Sequence, residues 1–340
     1  MIGLYPGQMD GDRVLFGMLV KRAVAAVLTL SGLLTVGYVG ISSYIAEELV
    51  YEAPKAIVKT PASLGLRFAD VSFPSRDDQV SLKGWFIPGV LGNGRLTADR
   101  MIVVVHGTRT NREDPGAHLL ELTVALARHG LGVLSFDMRG MGESPPAPLS
   151  MGNLEQRDVL GAVDFLRSGT LPFPELGRPR IIGGLGISMG ASTLLLAAAG
   201  EPGIKAVVSD SAYAEIVPIL EREIAKRSVA PIGRVPGVFA PSSLAMARLL
   251  YGVDFFAARP VATVARIAPR PLLLIHGTAD DYVPISNFRE LNAAATSAQG
   301  AHVSTWIVPN ARHAQAFKKT GDEYVTRVVA FFDSALGAAA

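Results

Sequence analysis

The chain has 340 residues, a formal net charge of +2 and no cysteine, and 49% of its residues are hydrophobic. The nearly balanced charge does not indicate nucleic-acid binding. The lack of cysteine excludes a thiol nucleophile, thiolate metal sites and disulfides. The length allows one large domain with a sizeable buried core. We expect no metal and no cofactor.

The N-terminal part of the chain predicts a membrane anchor. After a segment at residues 1–22, residues 23–46 contain no charged side chain. As a helix this run would span roughly 36 Å, enough to cross a bilayer with some tilt. A cleaved signal peptide is the alternative, but the run is long for one and no A-x-A site follows it. We therefore predict a single transmembrane helix at 23–46 and a linker at 47–64.

The charges beside this helix predict its orientation. Arg13, Lys21 and Arg22 precede it, whereas Glu47 and Glu48 follow it. Basic residues favour the cytoplasmic side of a membrane. This predicts a cytoplasmic N-terminus and an extracytoplasmic domain at residues 65–340.

Strand and helix patterns alternate through residues 65–340. Patterns at 68–73 and 80–87 flank a polar turn and predict an antiparallel start to a sheet. Further strand patterns begin near Met101, Leu131, Arg180, Ile204, Pro271 and Val303. Helical patterns lie at 115–128, 154–167, 188–199, 285–295 and 322–336. This alternation predicts an α/β fold with a mostly parallel central sheet and helices on both faces.

Two segments before residue 150 combine an apolar strand with a glycine-containing turn. Residues 101–108 read Met-Ile-Val-Val-Val-His-Gly-Thr, and residues 136–144 read Phe-Asp-Met-Arg-Gly-Met-Gly-Glu-Ser. Both turns follow a predicted strand, at the edge of the sheet where ligands bind in such folds.

Residues 186–190, Gly-Ile-Ser-Met-Gly, lie where a strand pattern changes to a helical one. A serine on such a sharp turn has strained backbone angles, so small residues are needed two positions away on each side. Gly186 and Gly190 meet that need. The turn also sets Ser188 at a helix N-terminus, where free N–H groups can stabilise an oxyanion.

The same glycines permit a different interpretation. Gly184, Gly186 and Gly190 form a strand-to-helix glycine cluster, and Asp210 ends the next strand pattern at about the spacing of a ribose-binding acid. The third glycine falls one position late for G-x-G-x-x-G. The glycines alone therefore leave a nicotinamide-dependent oxidoreductase open.

Residues 211–260 break the alternation. They contain two or three helical patterns and no strand pattern, as a helical cap inserted over the sheet would. Their many apolar residues either pack against the main domain or line a pocket for an apolar substrate.

Further candidate residues follow the last two strands. Asp280 comes after the strand pattern that starts at Pro271, and His313 comes after residues 303–308. Serine, acid and histidine in this order are typical of one hydrolase fold. Asp281 and Asp210 are alternative acids, since a loop acid can reach the histidine from more than one strand.

Together these motifs resemble those of the α/β-hydrolase superfamily. Residues 101–108 resemble its strand and oxyanion loop, and residues 136–144 resemble its F-D-x-R-G-x-G-x-S turn. The resemblance covers roughly residues 65–337 and favours the serine aminopeptidase and prolyl oligopeptidase-like branch, in a bacterial membrane-anchored form. It implies an α/β-hydrolase fold.

The resemblance also implies catalytic roles. Ser188 would attack an acyl carbonyl, His313 would accept its proton, and Asp280 would orient the imidazole. The backbone N–H groups of Thr108 and Met189 would form the oxyanion hole.

We expect a membrane-anchored serine hydrolase that cleaves carboxylic ester, thioester or lipid-like acyl bonds. Its partners would be a small acyl substrate and the membrane, with no nucleic acid. An aminopeptidase or amidase of the same fold and a catalytically silent scaffold are the alternatives. Because all candidate catalytic residues lie beyond residue 100, we expect residues 56–340 to fold alone and hydrolyse short esters.

Overall fold

The computed structural model describes residues 7–229 and 233–338. Parts of the predicted segments 1–22, 211–260 and 65–340 therefore lie outside the described residues.

Eight strands of the described chain form the central sheet. They are β1 Ala69–Pro74, β2 Ser81–Ile87, β3 Arg100–Val105, β4 Gly132–Asp137, β5 Ile181–Ile187, β6 Ile204–Asp210, β7 Leu272–Gly277 and β8 Val303–Val308. Across the sheet the order is β1-β2-β4-β3-β5-β6-β7-β8. β2 runs antiparallel to β1 and β4, and the other neighbours are parallel. The predicted α/β-hydrolase fold is confirmed.

Helices cover both faces of this sheet. In chain order the α-helices of the described residues are α1 Gly7–Val50, α2 Leu119–Arg128, α3 Gln156–Ser168, α4 Met189–Gly200, α5 Val217–Lys226, α6 Phe239–Tyr251, α7 Ile285–Thr296, α8 Ala316–Thr320 and α9 Asp322–Leu336. Those that pack on the sheet faces include α2, α3, α4, α7 and α9. Successive side chains of a strand point to opposite faces. Thus Met101 and Val103 of β3 pack in one core with α3, α4 and α7, and Ile102 and Val104 pack in the other with α2 and α9.

Short elements complete the described chain. The 3₁₀ helices are Pro61–Leu64, Pro174–Leu176, Phe255–Ala257, Pro260–Ala262 and Val264–Ile267. Outside the sheet, Gly89–Val90 pairs with Leu96–Thr97, and Ser228–Val229 pairs with Gly233–Arg234, both antiparallel.

Two local predictions were wrong. The helix expected at 115–128 begins at Leu119, because His118 adopts φ 55° and Asp114 Oδ1 accepts the Ala117 N–H in a turn before it. The cap was expected to contain no strand, yet Ser228–Val229 and Gly233–Arg234 form a two-stranded ribbon between α5 and α6. Two-residue strands are too short to give a visible alternation in the sequence.

Helix α1 has two parts with different surroundings. It contains 44 residues, roughly 66 Å of helix, and extends past the predicted 23–46 at both ends. Apolar side chains from Val14 to Val39 are exposed, and this helix is the one described segment long and apolar enough to cross a membrane. In contrast, Ile45 and Leu49 are buried in the domain core.

The buried end of α1 packs against helix α6. The Tyr38 hydroxyl donates to the Val238 carbonyl at 2.9 Å, and the hydroxyls of Ser42 and Ser242 lie 2.7 Å apart. The apolar helix therefore does not simply end in a free linker, because its last turns are part of the packed domain.

Candidate active site

Ser188 occupies a strained turn between β5 and α4. Its φ of 57° and ψ of −123° lie in a region that L residues rarely adopt. A Cβ at Gly186 would lie 2.6 Å from Cα of Ala191, and a Cβ at Gly190 would lie 2.6 Å from the carbonyl carbon of Val105. Only glycine fits at either position, so both glycines serve this turn.

The Ser188 hydroxyl lies beside the imidazole of His313. Oγ is 2.7 Å from Nε2, and Nδ1 of the same ring is 2.7 Å from Oδ2 of Asp280. With Nδ1 protonated and donating to the carboxylate, Nε2 is left as an acceptor for the serine proton. The three side chains form a continuous relay, from the turn after β5 to the loops after β7 and β8.

Asp280 is fixed by its own loop. Its Oδ1 accepts the backbone N–H groups of Tyr282 at 3.1 Å and Val283 at 2.7 Å, and its side chain is fully buried. The nearby His276 directs Nε2 to the Val283 carbonyl at 2.9 Å, and burial lowers the pKa of His276. A neutral His276 thus leaves Oδ2 of Asp280 to His313.

The two alternative acids are directed elsewhere. The Asp281 side chain is 79% exposed. The Asp210 carboxylate is buried and accepts the hydroxyls of Ser211 at 2.9 Å and Tyr324 at 3.0 Å. Burial raises the pKa of Asp210 to about 6. Because this carboxylate is buried and bonded to two core hydroxyls, it is not presented to a ribose as the dinucleotide interpretation requires.

The loop after β3 lies against the serine. A Cβ at Gly107 would lie 3.4 Å from Cβ of Ser188. Thr108 is the next residue of this loop, and Met189 is the first residue of α4, where helix geometry leaves the N–H without an intrahelical acceptor. The two predicted oxyanion donors therefore belong to the two segments that border Ser188.

Hydrogen bonds from the segments at 101–108 and 136–144 hold this loop in place. His106 Nδ1 bonds the Gly107 carbonyl at 2.6 Å, and Nε2 accepts the Met138 N–H at 3.1 Å. The Asp137 carboxylate accepts the Arg112 N–H at 2.7 Å and pairs with its guanidinium. The segment at 136–144 thus holds the loop in place and takes no part in the Ser188 relay.

A cavity of about 770 Å³ opens at Ser188 and His313. Its apolar walls are formed by Leu49, Met151, Ile187 and Leu220. Basic side chains that line it are Lys55, Arg109, Lys226 and Arg227. Since Leu49 belongs to α1 and Leu220 to α5, both helices contribute to the wall.

Glu52 lies at this site and was not among the residues predicted from the sequence. Glu52, in the predicted linker 47–64, accepts the Thr108 hydroxyl at 2.8 Å and the Arg109 N–H at 2.8 Å. The contact joins positions more than fifty residues apart and belongs to no recognisable motif. No local sequence pattern signals it.

Comparisons with known proteins identify the family and the fold of this chain. Residues 102–325 match the alpha/beta hydrolase family. The uncharacterized protein YfhR of Salmonella typhi is 26% identical over 297 residues, which are 85% of this chain and 88% of the relative. The esterase Pf2001 of Pyrococcus furiosus superposes with a TM-score of 0.66 at 22% identity, over 85% of this chain and 100% of its own. For the acylaminoacyl peptidase of Pyrococcus horikoshii the TM-score is 0.56 at 18% identity, over 79% of this chain and 42% of the peptidase. The family match spans most of the central sheet and the Ser188, Asp280 and His313 loops, and this chain belongs to the alpha/beta hydrolase family.

Proposed function

We propose that the protein is a serine hydrolase that cleaves carboxylic esters through an acyl-enzyme on Ser188. The observation that carries the proposal is the relay from Ser188 Oγ through His313 to Asp280, with both hydrogen bonds at 2.7 Å. This geometry meets the requirement for an activated nucleophile, a base within hydrogen-bond reach of the hydroxyl and a third group that orients the base.

The first half-reaction follows from the relay. Ser188 Oγ attacks the ester carbonyl carbon while His313 Nε2 takes the hydroxyl proton, and Asp280 stabilises the resulting imidazolium. The N–H groups of Thr108 and Met189 donate to the carbonyl oxygen as it becomes negative. The C–O bond of the ester then breaks, His313 returns its proton to the leaving alcohol, and the acyl group remains on Ser188.

Water completes the cycle. His313 removes a proton from a water molecule, which attacks the acyl carbon through a second tetrahedral intermediate. Collapse of that intermediate releases the carboxylic acid, and His313 returns the proton to Ser188 Oγ. Atoms and charge balance over the two steps, with water as the second substrate.

The cavity favours an apolar acyl chain. Such a chain would be buried against the hydrophobic walls formed by Leu49, Met151, Ile187 and Leu220. The likeness to the esterase Pf2001 supports an ester substrate. The likeness to an acylaminoacyl peptidase supports the second candidate, an amidase or aminopeptidase of the peptidase-like branch.

We further propose that α1 anchors the enzyme in a membrane, with the catalytic domain on the extracytoplasmic side. The exposed apolar side chains between Val14 and Val39 suit a lipid environment. Ser42, Ile45 and Leu49 of α1 are buried against the domain. A cleaved signal sequence would not make such contacts, so they favour a retained anchor. Because Leu49 of α1 lines the cavity, an anchored α1 would hold the site close to lipid-like acyl substrates.

Matched substrates test the reaction class. The full-length protein in detergent should hydrolyse p-nitrophenyl butyrate and should turn over the corresponding p-nitroanilide much more slowly, and Ser188→Ala should abolish both activities. A preference for the anilide would move the assignment to the amidase. A pure protein that hydrolyses neither substrate, nor thioesters or aminoacyl anilides, would favour the silent scaffold.

A further inference from the structure

The chain between α1 and the domain lies along the oxyanion loop. Asn111 Nδ2 donates to the carbonyls of Lys55 at 3.0 Å and Ala56 at 3.2 Å. Glu113 accepts the Val58 N–H at 2.6 Å. These contacts fix the path of residues 55–58 beside the loop that carries Thr108, although this stretch has no regular secondary structure of its own.

Glu52 contacts the oxyanion loop directly at Thr108. Its Oε1 accepts the Thr108 hydroxyl and its Oε2 accepts the Arg109 N–H, each at 2.8 Å, while Arg109 Nε lies 3.4 Å from Oε1. Only 8% of the Glu52 side chain is exposed. A shielded carboxylate that accepts two hydrogen bonds from adjacent residues holds those residues in one arrangement.

The loop needs such a constraint. Arg109 adopts φ 59°, a left-handed conformation that a non-glycine residue holds only when its surroundings require it. This conformation turns the chain immediately after Thr108. The Glu52 bond to the Arg109 N–H stabilises the turn and with it the direction of the preceding peptide unit.

Glu52 is in turn positioned by α1. It lies two residues beyond the helix end at Val50, whose carbonyl accepts the Leu149 N–H at 2.9 Å. The Tyr51 ring packs edge-on against Tyr251 of α6, with ring centroids 5.5 Å apart. The end of the apolar helix is thereby fixed to the domain at the point where Glu52 leaves it.

We propose that Glu52 is a positioning residue for the oxyanion hole, through which the docked end of α1 holds the Thr108 loop in its catalytic arrangement. This inference rests on the proposed function, because it assigns Thr108 a role in stabilising the oxyanion. Glu52 itself does not touch the substrate. It acts through the loop, and its effect is confined to states that carry the negative oxygen.

Because Glu52 acts only on states that carry the negative oxygen, its loss should affect kcat more than KM. A substrate ester has a neutral carbonyl oxygen, so loss of Glu52 leaves ground-state binding nearly intact, whereas the tetrahedral state loses a well-placed donor. Complete removal of one such donor lowers kcat by about 10²–10³-fold. A loosened loop retains part of that stabilisation, so we expect Glu52→Ala to lower kcat by roughly 10–100-fold with KM within about threefold of wild type.

The experiment compares full-length variants in detergent micelles. Glu52→Ala removes both acceptors, and Glu52→Gln keeps the shape with one acceptor oxygen. Thr108→Val keeps the backbone N–H and removes only the hydroxyl that Glu52 accepts. Glu47→Gln, an exposed carboxylate on the last turns of α1, is the matched control. Each kcat for p-nitrophenyl butyrate is normalised by fluorophosphonate titration of the active serine, which corrects for any unfolded fraction.

Two inhibitors separate positioning from general structure. An alkyl trifluoromethyl ketone adds to the serine and places a negative oxygen in the oxyanion hole, whereas the alkyl methyl ketone of the same chain length binds as a neutral carbonyl. We expect Glu52→Ala to weaken the first by the factor lost in kcat and the second by less than twofold. Glu52→Gln and Thr108→Val should show smaller losses of the same kind, and Glu47→Gln should match wild type.

Two results would overturn the inference while leaving the proposed function intact. One is a Glu52→Ala variant whose kcat and trifluoromethyl ketone affinity stay within twofold of wild type. The other is an equal loss of affinity for both ketones, which would mean a general distortion of the cavity. A wild-type protein that neither reacts with fluorophosphonate nor hydrolyses esters would instead overturn the proposed function and this inference together.

Discussion

The backbone N–H of Ser188 donates to the carbonyl of Asp210 at 2.8 Å, while the carboxylate of Asp210 turns into the core to bond Ser211 and Tyr324. Strand β6 therefore supports the backbone of Ser188 without contributing an acid to the relay with His313. Asp280, on the next strand's loop, makes the 2.7 Å bond to His313.

This division predicts different outcomes for three aspartates. Asp280→Asn should lower kcat/KM for p-nitrophenyl butyrate by about 10³–10⁴-fold, because the amide favours the wrong imidazole tautomer and no longer stabilises the imidazolium. Asp281→Asn is the matched control. Its kcat/KM should stay within about twofold of wild type, because the Asp281 side chain is exposed. A larger loss from Asp210→Asn or Asp281→Asn than from Asp280→Asn would transfer the role of triad acid.

Asp210 should instead affect stability in a pH-dependent way. Its pKa of about 6 in the folded state exceeds the ordinary value of 3.8 because of burial. The folded state therefore binds the proton more tightly, and this group's contribution to stability falls as pH rises through the window from about 4 to 6. Asp210→Asn removes the titrating carboxyl group and therefore this pH-dependent loss of stability.

The corresponding measurement is the unfolding free energy of wild type and Asp210→Asn at pH 5 and pH 8. The unfolding free energy of Asp210→Asn minus that of wild type should be higher at pH 8 than at pH 5 by about 1 kcal/mol, or a few degrees in melting temperature. An unchanged difference at the two pH values would mean that Asp210 does not titrate in this window.

The glycines of the serine turn should be intolerant of a single methyl group. Gly190→Ala would bring a Cβ within 2.6 Å of the Val105 carbonyl carbon, so we expect a loss of several kcal/mol in stability or an insoluble protein. Gly200→Ala, at the exposed end of the same helix, has no heavy atom within 4 Å of its new Cβ and should be neutral or slightly stabilising. Equal melting temperatures for the two variants would contradict this account of the turn.

The sequence predicted the sheet because each of its strands has its own apolar pattern, and it predicted Ser188, Asp280 and His313 because each follows a strand within a short recognisable motif. Glu52 and Leu49 could not be found in this way. Their contribution depends on the docking of α1 against α6, a tertiary contact between segments about two hundred residues apart, as for Ser42 and Ser242. Local patterns carry no information about such contacts.

The docked turns of α1 determine how a shortened enzyme should behave. Residues 56–340 were expected to fold and act alone, but this fragment lacks Glu52 and the buried side chains of Ile45, Leu49 and Val50. We now expect it to aggregate or to have less than about a tenth of the full-length activity, because an apolar surface is uncovered and the oxyanion loop is released.

A fragment of residues 37–340 is the matched comparison, because it keeps the docked turns of α1 and removes most of the exposed apolar helix. It should hydrolyse p-nitrophenyl butyrate with a kcat close to that of the full-length protein. If residues 56–340 were as active and as stable as residues 37–340, then α1 would be only a tether.

The central claim is that Ser188 is the nucleophile of the relay with His313 and Asp280. The most direct measurement is the intact mass of the protein after treatment with a fluorophosphonate, followed by peptide mapping. We expect one phosphonyl adduct per chain, located on Ser188, no adduct in Ser188→Ala, and much slower labelling in His313→Ala. An adduct that persists in a folded Ser188→Ala protein, or that maps to another residue, would contradict the account.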